Sequence, residues 1–300
     1  MTNVMLYFID TLLNRITMYR LVQYCLLVIA GFSVILAVFG ALPFTATQLI
    51  LSGIILFLTC YGSNYLFAKV LNAPTNVESS TITSLILLCI LTPLSSTHHL
   101  FTLILTGMIA MASKYLFAIH KKHLFNPTAI AAVLIGLMGS SQFSWWVANP
   151  MLLPVVTIAG LLIVRKIRRF HLFFSFLITS FLVITIMGII DKRIFPDLWT
   201  EIFLSWPLIF LGTIMLTEPS TTPPTKKLQI AYGALVGILI NIPFHIGPIF
   251  STPELALILG NLFSYIVSPK QKLFLTLTKK QQLAQDTYEF SFQPTTLPHY

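Results

Sequence analysis

Long apolar runs separated by short polar punctuation fill most of this chain. They fall at 21–42, 47–69, 80–93, 98–118, 127–147, 150–164, 171–190, 199–216, 228–246 and 254–268. Many approach the roughly 20 residues that a helix needs to cross a bilayer. The pattern therefore predicts an all-α polytopic membrane protein of about ten transmembrane helices. A different period follows the last run. Leu273, Leu275 and Leu277 alternate with other residues, and Tyr288, Phe290 and Phe292 then do the same, which reads as two strands. The expected organisation is an amphipathic N-terminal segment at 1–20, a transmembrane domain at 21–269 and a short β segment at 270–300. Two strands alone are marginal in water, so this segment reads as the incomplete start of a larger domain.

Charge sets the orientation. All Lys and Arg except Lys192 and Arg193 fall in the N-terminal segment, in the C-terminal segment, in the loops at 70–79, 119–126, 165–170 and 217–227, or at the adjoining span ends Lys69 and Lys114. On an even count of spans those segments share one face, and the positive-inside rule makes it the cytoplasmic one. The chain is expected in the cell (inner) membrane with both termini in the cytoplasm. Lys114, about one turn inside its span, is expected to snorkel to the interface.

The proline and glycine positions carry a repeat. Pro93 precedes Gly107 by 14 residues and Pro127 by 34, and Pro219 precedes Gly233 and Pro253 by the same 14 and 34. One offset relates all three pairs (219 − 93 = 126). It carries the third span onto the eighth, an odd shift of five helices, so the two five-helix repeats would be inverted in the membrane. Pro-interrupted or short helices in such folds mark places where freed backbone groups meet a ligand or ion path.

Hydrophobic residues are 56% of the chain and charged residues 9%, with a net charge of +9. The basic residues are scattered between apolar runs, which argues against nucleic acid as a partner and for the lipid bilayer. Cys25, Cys60 and Cys89 lie inside apolar runs without metal-ligand spacing, so neither a disulfide nor a metal site is expected. The first apolar run is too long for a signal-peptide core. No catalytic triad, phosphate loop or dinucleotide fingerprint is present, and catalytic residues are not identified.

Polar residues at helix ends remain. In MLTEPSTTPPTKK (215–227), Thr217, Glu218, Ser220, Thr221 and Thr222 follow an apolar run, and their hydroxyls, with Thr225, Lys226 and Lys227, suit a phosphate. The same stretch also reads as a helix stop followed by a basic loop. His123 and Asn126 precede Pro127, where Asn126 suits either an N-cap or a site. Ser79 and Ser80 open the short third span. Pro253-Glu254 reads as a helix start with an acid in its first turn. No carboxylate is expected at mid-bilayer, which disfavours an acid relay within the chain. If Thr217–Thr222 rims a site, a side-chain atom there should lie within about 8 Å of Asn126 or Ser79.

The stretches SSTITSLILLCILTP (79–93), SKYLFAIHKKHLFNPTAI (113–130), MLTEPSTTPPTKK (215–227) and PELALILGNLFSYIVSP (253–269) together resemble the NqrB/RnfD family. That family comprises the NqrB membrane component of the sodium-translocating NADH:quinone reductase and the RnfD membrane component of the Rnf electron-transport complex. The resemblance implies a ten-helix membrane protein with an inverted repeat that carries flavin, passes electrons between a cytoplasmic NAD(P)H/flavin domain and a membrane acceptor, and works beside other electron-transport subunits. Ser79, Ser80, His123, Asn126, Thr217, Glu218, Ser220, Thr221 and Thr222 are its candidate cofactor-binding residues here. The tail resembles the first strands of a ferredoxin–NADP reductase-type FAD-binding barrel, so FAD is expected only with the rest of that domain. The family's flavin-bearing Ser-Gly-Ala-Thr-like motif is absent, and the loop near 146–151 is too short for it, leaving open non-covalent FMN or riboflavin, or a purely scaffolding role. The chain is thus expected to be an oxidoreductase component, catalytically incomplete by itself. The alternative is an inverted-repeat secondary transporter or channel without a redox cofactor.

The charge asymmetry makes a direct prediction about sidedness. A reporter active only outside the cytoplasm should stay silent when fused after Tyr300 and give signal when placed in the 94–97 loop. The opposite pattern refutes the orientation.

Overall fold

The computed structural model describes residues 2–119, 122–139, 143–193, 207–247, 249–268 and 275–294. The chain divides into two units, Met1–Val267 and Ser268–Tyr300. The expected beginning of the span at 199–216, the strand position Leu273 and Lys121 fall outside the described residues.

Local sequence sets where helices start. After an amphipathic α1 (Thr2–Asn14), α2 (Met18–Val38) is capped by Thr17, whose hydroxyl accepts from the Arg20 N–H. A reciprocal Thr45–Gln48 capping box opens α3 (Ala46–Val70), Asn76 caps α4 (Val77–Ile90), and Ser96 caps α5 (Thr97–Leu116). Asn126 caps α6 (Pro127–Leu137), with Pro127 as first helical residue, where its missing N–H costs nothing. Then come α7 (Leu153–Ile167), α8 (Phe170–Ile190), and the short α9 (Leu208–Phe210), which runs into a π-helical turn at Leu211–Met215. Thr225 caps α10 (Lys226–Leu239), and Pro253 opens α11 (Pro253–Val267).

The structure is mostly helical, and α2, α3, α5 and α8 are long and apolar enough to cross a membrane. This is an integral membrane protein. The expected spans 80–93, 127–147, 150–164, 228–246 and 254–268 are shorter helices, and the described part of 199–216 is α9 with its π turn. α6 stops ten residues before the expected 147, because Met138 and Gly139 leave the helix and Gly139 takes a left-handed φ of +82°. α4 ends at Ile90, ahead of Pro93, whose ring and missing N–H are incompatible with continuation.

Element order recurs along the first unit. Long helices α2 and α3, short α4, then α5, a two-residue hairpin (β1, Ala118–Ile119; β2, Lys122–His123) and short α6 are followed by α7, α8, α9, α10, a second hairpin (β3, His245–Ile246; β4, Ile249–Phe250) and α11. Partner choice recurs as well. α2 packs on α4, α3 on α5 and α5 on α6, while α7 packs on α9 with its π turn, α8 on α10 and α10 on α11. The two series meet through like members, α2 against α7 and α6 against α11. The hairpins escape the sequence reading because two-residue strands are too short for any period.

The second unit holds β5 (Leu275–Ala284) paired antiparallel with β6 (Thr287–Pro294). Tyr288, Phe290 and Phe292 form an exposed aromatic row, and the Lys280 ammonium sits 4.5 Å from the Tyr288 ring centre.

The two glycines of the repeat pack differently. A Cβ on Gly233 would meet the Leu172 carbonyl oxygen at 2.6 Å, whereas one on Gly107 would meet only Thr59 and Cys60 side chains at 3.0–3.4 Å. Alanine gains about 1 kcal/mol over glycine in helix propensity, which offsets a mild contact. Forcing apart the α8 and α10 backbones costs about 1–3 kcal/mol. Gly233→Ala should therefore lower the thermal midpoint in detergent, and Gly107→Ala should leave it close to wild type. Equal midpoints for the two variants contradict this packing.

Candidate functional site

The exit from the π turn and the start of α6 lie side by side, so a chain leaving one helix meets a chain entering another. Asn126 turns its Oδ1 to the N–H groups of Thr128 and Ala129 at 3.0 and 3.1 Å, and its Nδ2 donates to Glu218 Oε2 at 2.9 Å. The amide thus caps a helix and holds a carboxylate at the same time. Its own N–H donates to Asn261 Oδ1 (2.9 Å), and Asn261 Nδ2 donates to the Tyr232 hydroxyl (2.9 Å). Both asparagines and Tyr232 are buried. The bonds hold the 215–222 turn, α6, α10 and α11 in one network.

Glu218 borders a cavity of about 50 Å³. Tyr19, Ser79, Thr83, Lys114, Asn126 and Thr217 contribute its polar lining, with isoleucines from α4 and α7 between them. Lys114 does not snorkel. It is 5% exposed, and its ammonium donates to the Ser79 carbonyl (2.8 Å) and hydroxyl (3.0 Å). The start of α4 supplies those oxygens. Glu218 is near enough to Lys114 and His123 to act on both electrostatically, so a buried cation and a carboxylate share one small space.

The expected residues divide into three groups. Ser79, Asn126, Thr217 and Glu218 line the cavity. Ser220 reaches it indirectly, donating to Glu218 Oε1 at 2.8 Å, and His123 lies behind it, with Nδ1 3.1 Å from the Lys114 carbonyl. Ser80, Thr221 and Thr222 are turned to backbone carbonyls instead: Ser80 to Val77, and both threonines to Glu218. Lys226 and Lys227 are exposed at the start of α10 and do not line the cavity. In this structure the Thr221 and Thr222 hydroxyls face the Glu218 carbonyl of their own turn and do not converge with Lys226 and Lys227.

Sequence reasoning misses Lys114, Tyr19, Asn261 and Tyr232. A lysine inside a span is the available signal, since a cation there is costly unless it is placed for use. Glu254 also differs from the ordinary first-turn acid that its position suggests. It is 4% exposed and accepts the Trp145 indole N–H at 2.6 Å. Among the described residues no group of three or more His, Cys, Asp or Glu side chains is placed to hold a metal ion.

Residues 151–272 match the family model described as the NQR2, RnfD, RnfE family. No curated protein matches the chain.

His123 connects the site to pH. Burial holds its pKa below the ordinary value near 6.5, with Lys114 acting the same way and Glu218 opposing. A histidine whose folded pKa is depressed contributes stability that is present above its unfolded pKa and is lost as pH falls from there through the folded pKa. Acidifying from about pH 7.5 to about pH 5.5 should lower the melting temperature, and His123→Gln should lessen the drop. An unchanged pH slope in that variant rules His123 out as the source.

Proposed function

We propose that this chain is the ion-handling membrane component of an NAD(P)H-linked electron-transport complex, with Glu218 as the carboxylate that meets the ion. The observation carrying the proposal is the Asn126-held Glu218 facing buried Lys114 across the small cavity. Ionisable groups inside a membrane domain are expensive to keep, and here two hydrogen bonds orient each of them. The match over 151–272 supports the choice of complex.

The recurring element order, the like-with-like packing of α2 on α7 and α6 on α11, and the 126-residue spacing of helix starts at Pro127 and Pro253 support an inverted repeat of five spans each, about ten in all. The distribution of basic residues supports both termini in the cytoplasm, with the cavity on the same side.

Flavin is the cofactor that the resemblance implies. The cavity at Glu218 does not fit it: about 50 Å³ holds a few waters or a small cation, whereas sites for molecules of flavin size run from roughly 300 Å³ upward. The electrons of the complex are therefore assigned to flavin carried outside this cavity, by other proteins of the complex or by a completed barrel. What the chain's own residues do here is hold charge. Glu218 accepts two hydrogen bonds and keeps lone pairs toward the cavity, Lys114 balances its charge when no cation is present, and Asn126 fixes the carboxylate's direction. A cation or proton arriving at Glu218 weakens its attraction to Lys114, so occupancy changes the local charge by one unit.

A transporter without redox partners uses the same geometry, and copurification separates the two readings. Tagged chain drawn from native membranes should bring a flavoprotein with NAD(P)H-oxidising activity. In inverted vesicles containing that complex, Glu218→Gln should reduce NADH-driven sodium or proton uptake by about tenfold or more and leave NADH oxidation by an artificial acceptor intact. Uptake at the wild-type rate removes Glu218 from the ion path, and absence of any flavoprotein favours the transporter.

A further inference from the structure

The surfaces that surround the open cavity have counterparts 126 residues away. Tyr19 corresponds to Trp145 (145 − 19 = 126), Asn126 to Thr252 (252 − 126 = 126), Thr128 to Glu254 (254 − 128 = 126) and Glu218-Pro219 to Thr92-Pro93 (218 − 92 = 126). The residues of the first set all line the open cavity, with Asn126 donating to Glu218. In the second, Trp145 and Thr252 close on Glu254. Trp145 donates its indole N–H to Glu254, and the Ser144 and Trp145 backbone N–H groups both donate to the Ile90 carbonyl. The neighbouring Trp146 donates to the carbonyls of Leu88 and Leu91, at the end of α4. Both tryptophans are buried, and Trp145 also meets the Phe210 ring edge-on.

Two further observations mark this closed half as a device rather than inert core. Trp145 sits at φ +46°, a left-handed conformation that a bulky side chain adopts only when its surroundings impose it. Glu254 is a buried carboxylate that, among the described residues, has hydrogen-bond donors in Trp145 and Thr252 but no ion pair. A core assembled for stability alone gains nothing from an acid at that position.

We propose that Trp145 plugs a second vestibule, related to the open one by the repeat, and that Glu254 is the carboxylate this vestibule presents to a small monovalent cation or a proton when the plug withdraws. Halves related by a repeat exchange conformations in alternating access. In this proposal Tyr19 closes the Glu218 cavity as Trp145 closes its own, and withdrawal of Trp145 exposes a polar lining like that of the open cavity. The inference rests on the ion-handling reading, but its test needs neither NADH nor another protein of the complex.

Purified full-length chain is reconstituted in vesicles, and passive uptake of radioactive sodium and of protons is followed separately. Trp145→Ala should raise the leak of at least one of them by about tenfold or more. Trp145→Phe, which keeps the ring and loses the N–H donor, should give a smaller rise. Adding Glu254→Gln to Trp145→Ala should return the leak to the wild-type level, and the sodium and proton arms identify the ion. Should Trp145→Ala fail to run as a single species on gel filtration, the Phe variant and its Glu254→Gln double decide. Vesicles as tight as wild type overturn the plug, and a leak indifferent to Glu254→Gln overturns the carboxylate's role. Either failure leaves the Glu218→Gln uptake result standing independently.

Discussion

A helix that stops inside an apolar slab leaves carbonyl or N–H groups that no water can repair, and this constraint organises the molecule. α4 ends at Ile90, and its last carbonyls are met from the 144–147 segment: Ile90 by two backbone N–H groups, Cys89 by the Val147 N–H, Leu88 and Leu91 by Trp146. α6 begins at Pro127, and its first N–H groups are met by Asn126. The turn after the π segment satisfies the Glu218 carbonyl with Thr221 and Thr222. Each repair uses a polar side chain or a loop that must sit among helices, so the polar content of the core follows from where the helices end.

The same constraint explains why charge gathers at one place. Once Asn126 is fixed as a cap, its second amide group needs a partner, and Glu218 supplies it at 2.9 Å. A carboxylate there needs a positive group within reach, and Lys114 is held nearby by the oxygens at the start of α4. The pair does not collapse into direct contact, because Ser79 keeps the ammonium. A small polar cavity between opposite charges is what remains.

The sequence made the stops legible and the contacts much less so. Pro93, Pro127, Pro219 and Pro253 announce helix boundaries without any tertiary information, because a missing N–H acts locally. Asn126 and Glu218 are visible as polar residues beside those prolines. The direction of a hydroxyl is not, since Thr221 beside a helix stop can face a ligand or the carbonyl just behind it, and only packing decides. Lys114 illustrates the opposite error: its distance from the span end suits snorkelling, and the competing acceptor, Ser79, is 35 residues away in sequence. Trp145 gives no signal at all, because its partners, the Ile90 carbonyl and Glu254, are far from it in sequence.

Neither series of helices completes the site alone. Glu218, Asn261 and Tyr232 come from the region matching the NQR2, RnfD, RnfE family, while Ser79, Lys114 and Asn126 come from the preceding half. Asn126 hydrogen-bonds to Glu218 on the π-turn exit and to Asn261 on α11, so it joins the two series where α6 meets α11. A relative movement of the series therefore changes the carboxylate's orientation directly, without an intervening lever. In the proposed ion-handling role, coupling ion occupancy to a change in which vestibule is open requires that the ion's carboxylate and the joint between the halves be held by the same side chain, and Asn126 meets that requirement.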